Sequence, residues 1–474
     1  MVLLRRDKSK LAFPKIECMK AIFVLLTCLI CISYKTSFAQ DASNSMSTSQ
    51  KADMVQRVRD AAQHAWDGYK KYALGTDDLK PLTKKGKNWY KHTLLMTPVD
   101  AYDTFSLLGL DSAASEAKQM ILHDLDFNVD DNVQVFEITI RQLGALITAY
   151  ENTGERKFLS LANDLADRLM PAFHTPTGIP YRYVHLQTGK VSDSINNPAE
   201  VGTLMLEFGK LSKLTGKPRY YNAAKKAIMA VYSRRSKIDL AGERINVMTG
   251  EWMGTESHIS GYIDSYYEYL WKAWKLFGDK DFKKAFDTHN DAIKKYLLVK
   301  TSHGTFMRHV DMNTGKQTAT LYGALDAFYA GLCAYAGDIK TAEGIQDANF
   351  YMWTHYNMEP EEFDFAKDSI TSSYYILRPE NLESTWYLYH LTGKPEYLAM
   401  GKRMVEDILN NCRTDDAFAS IKNVITLEKY NSMESFFFAE TLKYSYLIFA
   451  PQNKIDLKKT VFNTEAHPLK IVNH

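Results

Sequence analysis

The chain has 474 residues and a formal charge of +2 at pH 7, with 45% hydrophobic and 24% charged side chains. That balance excludes a disordered, fibrous or multi-span membrane protein and supports a sizeable buried core. The near-zero charge also excludes a nucleic-acid binder built on basic runs. Aromatic residues are plentiful (7 Trp, 29 Tyr and 23 Phe). Their faces suit sugar rings, although most are expected in the core.

The first element in chain order is a targeting segment. Residues 21–33 form an apolar run of 13, preceded by Met19-Lys20 and followed by Ser37-Phe38-Ala39. A short basic region, an apolar stretch and a small-x-small site describe a secretory signal peptide cleaved near Ala39. The run is shorter than the roughly 20 apolar residues of a bilayer span, so no permanent membrane span is expected. Residues 1–39 carry seven bases and two acids, so the remaining 435 residues carry a formal charge of −3. Cys18, Cys28 and Cys31 leave with the signal; Cys333 and Cys412 remain, too few for a disulfide framework or a Cys-based zinc site. The chain has no N-x-[ST] sequon, which favours export from a bacterium, to periplasm or medium. Residues 40–52 are expected to be a flexible linker, 53–469 one folded domain and 470–474 a tail.

From there on, apolar residues recur at helical spacing, as in Phe136, Ile140, Leu143, Ile147 and Tyr150. Turn signals recur at Gly154, Gly216, Gly278, Gly337 and Gly393, separated by 62, 62, 59 and 56 residues. Glycine after the last helical turn is a common C-terminal cap. A repeat of about sixty residues built from two helices describes either an open solenoid or a closed αα toroid.

The acids follow the same period. Glu137, Glu200 and Asp264 are spaced by 63 and 64, Glu380 and Glu383 follow two repeats later, and Glu440 lies 57 beyond Glu383. Each sits near the start of the first helix of a pair, among apolar residues. One reading makes each a first-turn charge facing the helix macrodipole. The shared phase favours another, in which the acids surround one centre. Buried charges in such number need cations, protons or polar ligands, and a toroid mouth holding a polyhydroxyl substrate and a metal supplies them.

At these segments the chain resembles glycoside hydrolase family 47, the class I α-1,2-mannosidases. The matching motifs run in order from VDAYDTFSLLGL (99–110) through VFEITIRQLGALITAY (135–150), TPTGIPY (175–181), AEVGTLMLEF (199–208) and IDSYYEYL (263–270). LRPENLEST (377–385), MESFFFAETLKY (433–444) and NTEAHPL (463–469) complete the set. The resemblance implies an all-α (α/α)7 barrel, Ca2+ dependence, and inverting hydrolysis of terminal α-1,2-linked mannose from high-mannose N-glycans or mannobiose. It gives Glu137 the role of proton donor, Glu380 that of the base activating water, and Asp264 that of a third catalytic carboxylate. Arg141, Glu200, Arg378, Glu383 and Glu440 become substrate or water-shell residues, with Phe437 a ring that stacks on mannose. Thr464 becomes the calcium ligand, through its hydroxyl and carbonyl. His467 has no partner His at ligand spacing, so zinc is not expected.

The chemistry agrees: inversion needs an acid and a base roughly 6.5–9.5 Å apart with water between, and clustered carboxylates in a dry pocket have raised pKa values. Two departures stand out. The stretch 321–338 lacks a His found in the ER-processing and Golgi branches and resembles the ER degradation-enhancing mannosidase-like branch. Asn431-Ser432 replaces the usual acid before MESFF. A monomer acting on glycan or glycoprotein is expected. The rival expectations are a glycan-binding, lectin-like protein without turnover and a helical scaffold for protein partners. The first needs no separate acid and base; the second leaves the phased carboxylates unexplained.

Overall fold

A computed structural model describes residues 46–472. The targeting segment lies outside the described residues, as do residues 473–474. Two kinds of helix alternate along the chain. The first kind is amphipathic: Arg156–Leu169 buries Phe158, Leu161, Ala162, Leu165, Ala166 and Leu169, one stripe at i, i+3, i+4 spacing. The second kind is buried on every side, as in Met205–Thr215, where Met205 through Ser212 are all buried. A helix without a wet face belongs inside an assembly of other helices.

Among the described residues, seven helices of each kind form the (α/α)7 barrel. The outer ring is Thr48–Ala73, Asp111–Asp124, Arg156–Leu169, Pro218–Ser233, Lys280–Tyr296, Ile339–His355 and Pro395–Asn411. The inner ring begins with Met96–Leu108, then Val135–Ile138 continuing through a π-turn, Thr139–Leu143, into Gly144–Thr153. Pro198–Gly202 with Met205–Thr215, Asp264–Phe277, Phe328–Tyr335 and Glu380–Thr392 follow, and a second π-turn, Phe437–Thr441, leads into Leu442–Phe449. The ring closes where Thr48–Ala73 and Met96–Leu108 meet this last pair. Trp66, Phe105 and Phe438 form the seam, with ring centroids 5.1 to 6.4 Å apart.

Each inner helix but the last hands over to an outer helix through a turn of two or three residues, whose glycines at 109, 154, 216, 278, 337 and 393 all have positive φ. Only glycine takes that backbone conformation without penalty. At the opposite end the connections are long and carry short antiparallel strands, such as Leu321–Gly323, Glu362–Asp364 and Ser369–Ser372. The inner helices therefore run parallel, and their N-termini gather at the end with the long loops.

A C-terminal hairpin, Thr460–Phe462 paired with Pro468–Lys470, plugs the barrel between Gly144–Thr153 and Asp264–Phe277. Its base is tied to the short-turn end, where the Lys470 backbone N–H donates to Glu151 at 3.0 Å and Val472 N to Leu276 O at 3.2 Å. Its tip points up the barrel, held by Asn463.

Two expected boundaries move. Helix Thr48–Ala73 begins inside the stretch expected to be a linker, because Ser47 and Gln50 form a reciprocal capping box. Lys470 to Val472 are bonded to the barrel rather than forming a loose tail. From Ser47 onward the chain is one compact unit. Cys333 and Cys412 are separate, buried, free thiols. Among the described residues, no helix is long and apolar enough to cross a membrane.

Candidate active site

Glu137 stands in the first turn of the second inner helix, Glu200 in that of the third, and Asp264 opens the fourth. Glu380 opens the sixth, with Glu383 one turn on, and Glu440 lies in the π-turn of the seventh. Because these N-termini converge, the acids satisfy both sequence readings at once: they are first-turn charges, and they face one centre. They line a cavity of about 490 Å³ together with Arg141, Arg182, Glu268, Arg378, Phe436, Thr464 and Glu465. Eight carboxylates thus meet three guanidinium groups in the wall of one pit.

The cations are already engaged. Arg141 donates to Glu137 at 3.0 Å, pairs with Glu465, and approaches Asp100 at 3.4 Å. Its guanidinium lies 5.1 Å from the Trp89 ring and 5.8 Å from that of Phe436. Arg182 Nε donates to both oxygens of Glu200, at 2.9 and 3.1 Å, and Asn197 Nδ2 adds a bond of 2.9 Å to the same carboxylate. Arg378 gives Nε and Nη2 to Glu361, at 3.0 and 2.5 Å, and leaves Nη1 3.8 Å from Glu380.

Glu268 pairs with the buried Lys272, and the remaining acids are short of positive charge. Burial pushes Glu380 and Asp264 up to about 7, against the opposing pull of Arg378 on Glu380 and of the Ser265 N–H on Asp264. Glu380 Oε2 is buried and has no hydrogen-bond partner. Glu383 rises to about 8 through burial, although Lys272 stands 3.8 Å away and Tyr444 donates to it at 3.1 Å. Glu440 rises through burial and then through repulsion from Glu465, Glu380 and Glu383.

Thr464 sits at the hairpin tip and, with Glu465, forms the floor of the pit. Asn463 fixes that tip: its Nδ2 donates to Ile140 O and Glu207, both at 2.8 Å, and its Oδ1 accepts from the N–H groups of Glu465 and His467 at 3.0 and 2.7 Å. Gly144 lets the tip come this close, since a Cβ there would lie 2.5 Å from Asn463 Nδ2. His467 is buried between Asp103, at 3.2 Å, and Asp100, at 3.5 Å; burial opposes its charge, but the two carboxylates raise it to about 9. It is therefore an ion-pair partner of both carboxylates. Among the described residues no group of three or more His, Cys, Asp or Glu side chains is arranged to hold a metal ion. A threonine among uncompensated carboxylates suits instead a hard, oxygen-seeking cation whose shell is completed by water and ligand.

All the sequence-assigned residues but one line this pit. The exception is Phe437, which is fully buried and packs on Phe418 and Phe438 at 5.0 and 6.0 Å. The ring in the wall is Phe436. Residues four apart share a helix face, so the partner of Glu440 is 436, and that spacing was the available signal. The same rule relates Glu268 to Asp264. Arg182 carried no sequence signal. The two departures also find places. Leu325 and Phe328, from the stretch that lacks the histidine, add apolar wall, and Asn431 Oδ1 accepts from Leu82 and Thr83 N–H at 2.9 and 3.2 Å, anchoring the turn between strands Asp78–Lys80 and Lys85–Lys87.

A closed ring of helical hairpins around a carboxylate-lined pit is an (α/α)-barrel whose site suits glycoside hydrolysis. The chain belongs to glycosyl hydrolase family 47, which it matches over residues 61–471. It is 36% identical over 442 residues to mannosyl-oligosaccharide 1,2-alpha-mannosidase MNS1 of Arabidopsis thaliana, covering 88% of this chain and 78% of that protein. It is 34% identical to the human ER degradation-enhancing alpha-mannosidase-like protein 2 over 450 residues, 87% of this chain and 77% of the relative. Among solved structures, the alpha-1,2-mannosidase from Trichoderma reesei superimposes with a TM-score of 0.82 at 28% identity, covering 89% of this chain and 99% of that one.

Proposed function

We propose that the chain is an exported, calcium-dependent, inverting α-1,2-mannosidase that removes terminal mannose from high-mannose glycans or mannobiose. The observation that carries this reading is the convergence of Glu137, Asp264, Glu380 and Thr464 on one pit, with the C-terminal hairpin filling the barrel beneath it. Such a pit admits the non-reducing end of a glycan and one sugar at a time. Glu137, oriented by Arg141 at 3.0 Å, gives its proton to the glycosidic oxygen as the C1–O bond breaks. Glu380 takes a proton from the water that forms the new C1–O bond on the opposite face, and Arg378, 3.8 Å from its Oε1, leaves it outside a two-point pair. Asp264 keeps a raised proton affinity beside them.

Thr464 would hold calcium through its hydroxyl and carbonyl, with Glu383, Glu440 and Glu465 around its waters. A bound calcium ion supplies positive charge to this crowded set of carboxylates and oxygen-binding sites for sugar hydroxyls. Export is supported by the basic, apolar and small-x-small pattern of residues 19–39.

The test is free mannose released from α-1,2-mannobiose or a high-mannose glycan, with and without chelator. Release that depends on calcium, with β-mannose appearing first, is expected. Glycan binding without release at saturating calcium would overturn the reading in favour of a lectin. Glu380→Gln should abolish turnover while the barrel still folds.

A further inference from the structure

Arg378 is the residue in the pit best placed to disable the base. A guanidinium beside a carboxylate normally forms a two-point pair, occupying the lone pairs on both oxygens. Here that pair is made with Glu361 instead, at 3.0 and 2.5 Å, and Arg378 remains 3.8 Å from Glu380. Glu361 is a rigid anchor: its N–H donates to Tyr374 O at 2.8 Å and its carbonyl accepts from Ala324 N at 3.0 Å. Gly323 lies against that carbonyl, since a Cβ there would come within 2.4 Å of it.

The arginine is held from its own side too. Leu377 has φ +65, an uncommon conformation for a branched residue. Its carbonyl accepts from Thr441 Oγ1 at 2.6 Å, and the Arg378 carbonyl accepts from Tyr375 OH at 3.0 Å. Backbone and partner together fix where the guanidinium ends.

We propose that Glu361 is a positioning residue that holds Arg378 back from Glu380, so that the base keeps a lone pair free for the attacking water. The inference rests on the assignment of Glu380 as base. The charged groups acting on Glu380 are Arg378 from its own connection, Glu361 and Glu359 from the loop and sheet edge, Asp264 from the fourth inner helix, Glu383 one turn on, and Glu440 from the seventh. Without Glu361 the arginine would close on Glu380 and favour its ionised form, while blocking the oxygen that takes the proton.

The experiment is the pH profile of kcat/KM for α-1,2-mannobiose at saturating calcium, for the wild type, Glu361→Gln, Glu361→Asp and Glu380→Gln. Glu361→Gln should lower kcat about tenfold or more and move the acid limb down by about one pH unit. Glu361→Asp keeps the charge and draws the arginine back, so its limb should stay at or above that of the wild type. An unmoved limb in folded Glu361→Gln overturns the proposal, whether or not kcat falls. If that variant does not fold, a Glu361→Asp limb below wild type overturns it. Turnover surviving in Glu380→Gln sinks the base assignment itself, whereas loss of turnover there with an unmoved Glu361→Gln limb sinks only the role of Glu361.

Discussion

Phe436 and Phe437 are neighbours with different surroundings, and the difference is roughly a quarter-turn of helix. Phe436 shares the face of Glu440 and stands near both Arg141 and Arg378, at 5.8 and 5.9 Å. Phe437 fills the core behind it. Phe437→Ala should therefore destabilise the fold by about 3–5 kcal/mol, read as a loss of unfolding free energy in denaturant. Phe436→Ala should instead raise KM roughly tenfold with a smaller change in stability. The reverse pattern would show that the ring facing the sugar is Phe437 after all. The carboxylates were legible in the sequence because their type and spacing recur. The choice between two adjacent aromatics was not, because a motif fixes a neighbourhood and the side-chain face depends on local winding. Partners such as Glu361 reach the site from a distant loop and have no periodic signal.

At the scale of the element, the glycine period and the apolar spacing made the helical hairpins readable in sequence. The short strands were not, since runs of two to four residues give no alternation to detect. The C-terminal hairpin is the element that decides the site, and its tip depends on Asn463, whose buried amide makes four hydrogen bonds. Asn463→Ala leaves Glu207, already one oxygen short of a partner, without that donor as well. It should destabilise the protein by about 2–4 kcal/mol in chelator and weaken calcium binding measured by titration calorimetry. Unchanged calcium affinity would mean that the tip holds its shape without that side chain. Both π-turns lie at the pit, one carrying Arg141 and the other Glu440, in keeping with the frequent placement of such turns at functional positions.

For the whole molecule, the surplus of buried acid sets the pH dependence of stability. Asp264, Glu380 and Glu207 are raised to about 7 and Glu383 to about 8, all through burial first. Between about pH 4.5 and those values the native protein keeps protons that the unfolded chain has released, so stability falls as pH rises. His467, raised to about 9, adds a loss of the same sign as pH rises further. The unfolding midpoint in chelator should thus be higher near pH 5.5 than near pH 8, and calcium should recover the difference at the upper pH by binding only the native state. A midpoint that climbs with pH in chelator would contradict this arrangement of charge. The toroid itself was one of two architectures compatible with the repeat. Closure depends on the aromatic seam of Trp66, Phe105 and Phe438, a contact between chain ends that no local pattern announces.

The hairpin that plugs the barrel also dictates how a turnover ends. With the hairpin tip beneath the pit, the cleaved sugar would lie beneath the shortened glycan, and both would leave through the same opening. Release should therefore be ordered, the remnant departing first and the monosaccharide second. No remnant can slide inward for a second cut without dissociating completely. Digestion of a long glycan should be distributive, with every intermediate length accumulating in turn. Free mannose should compete with incoming substrate for the empty pit.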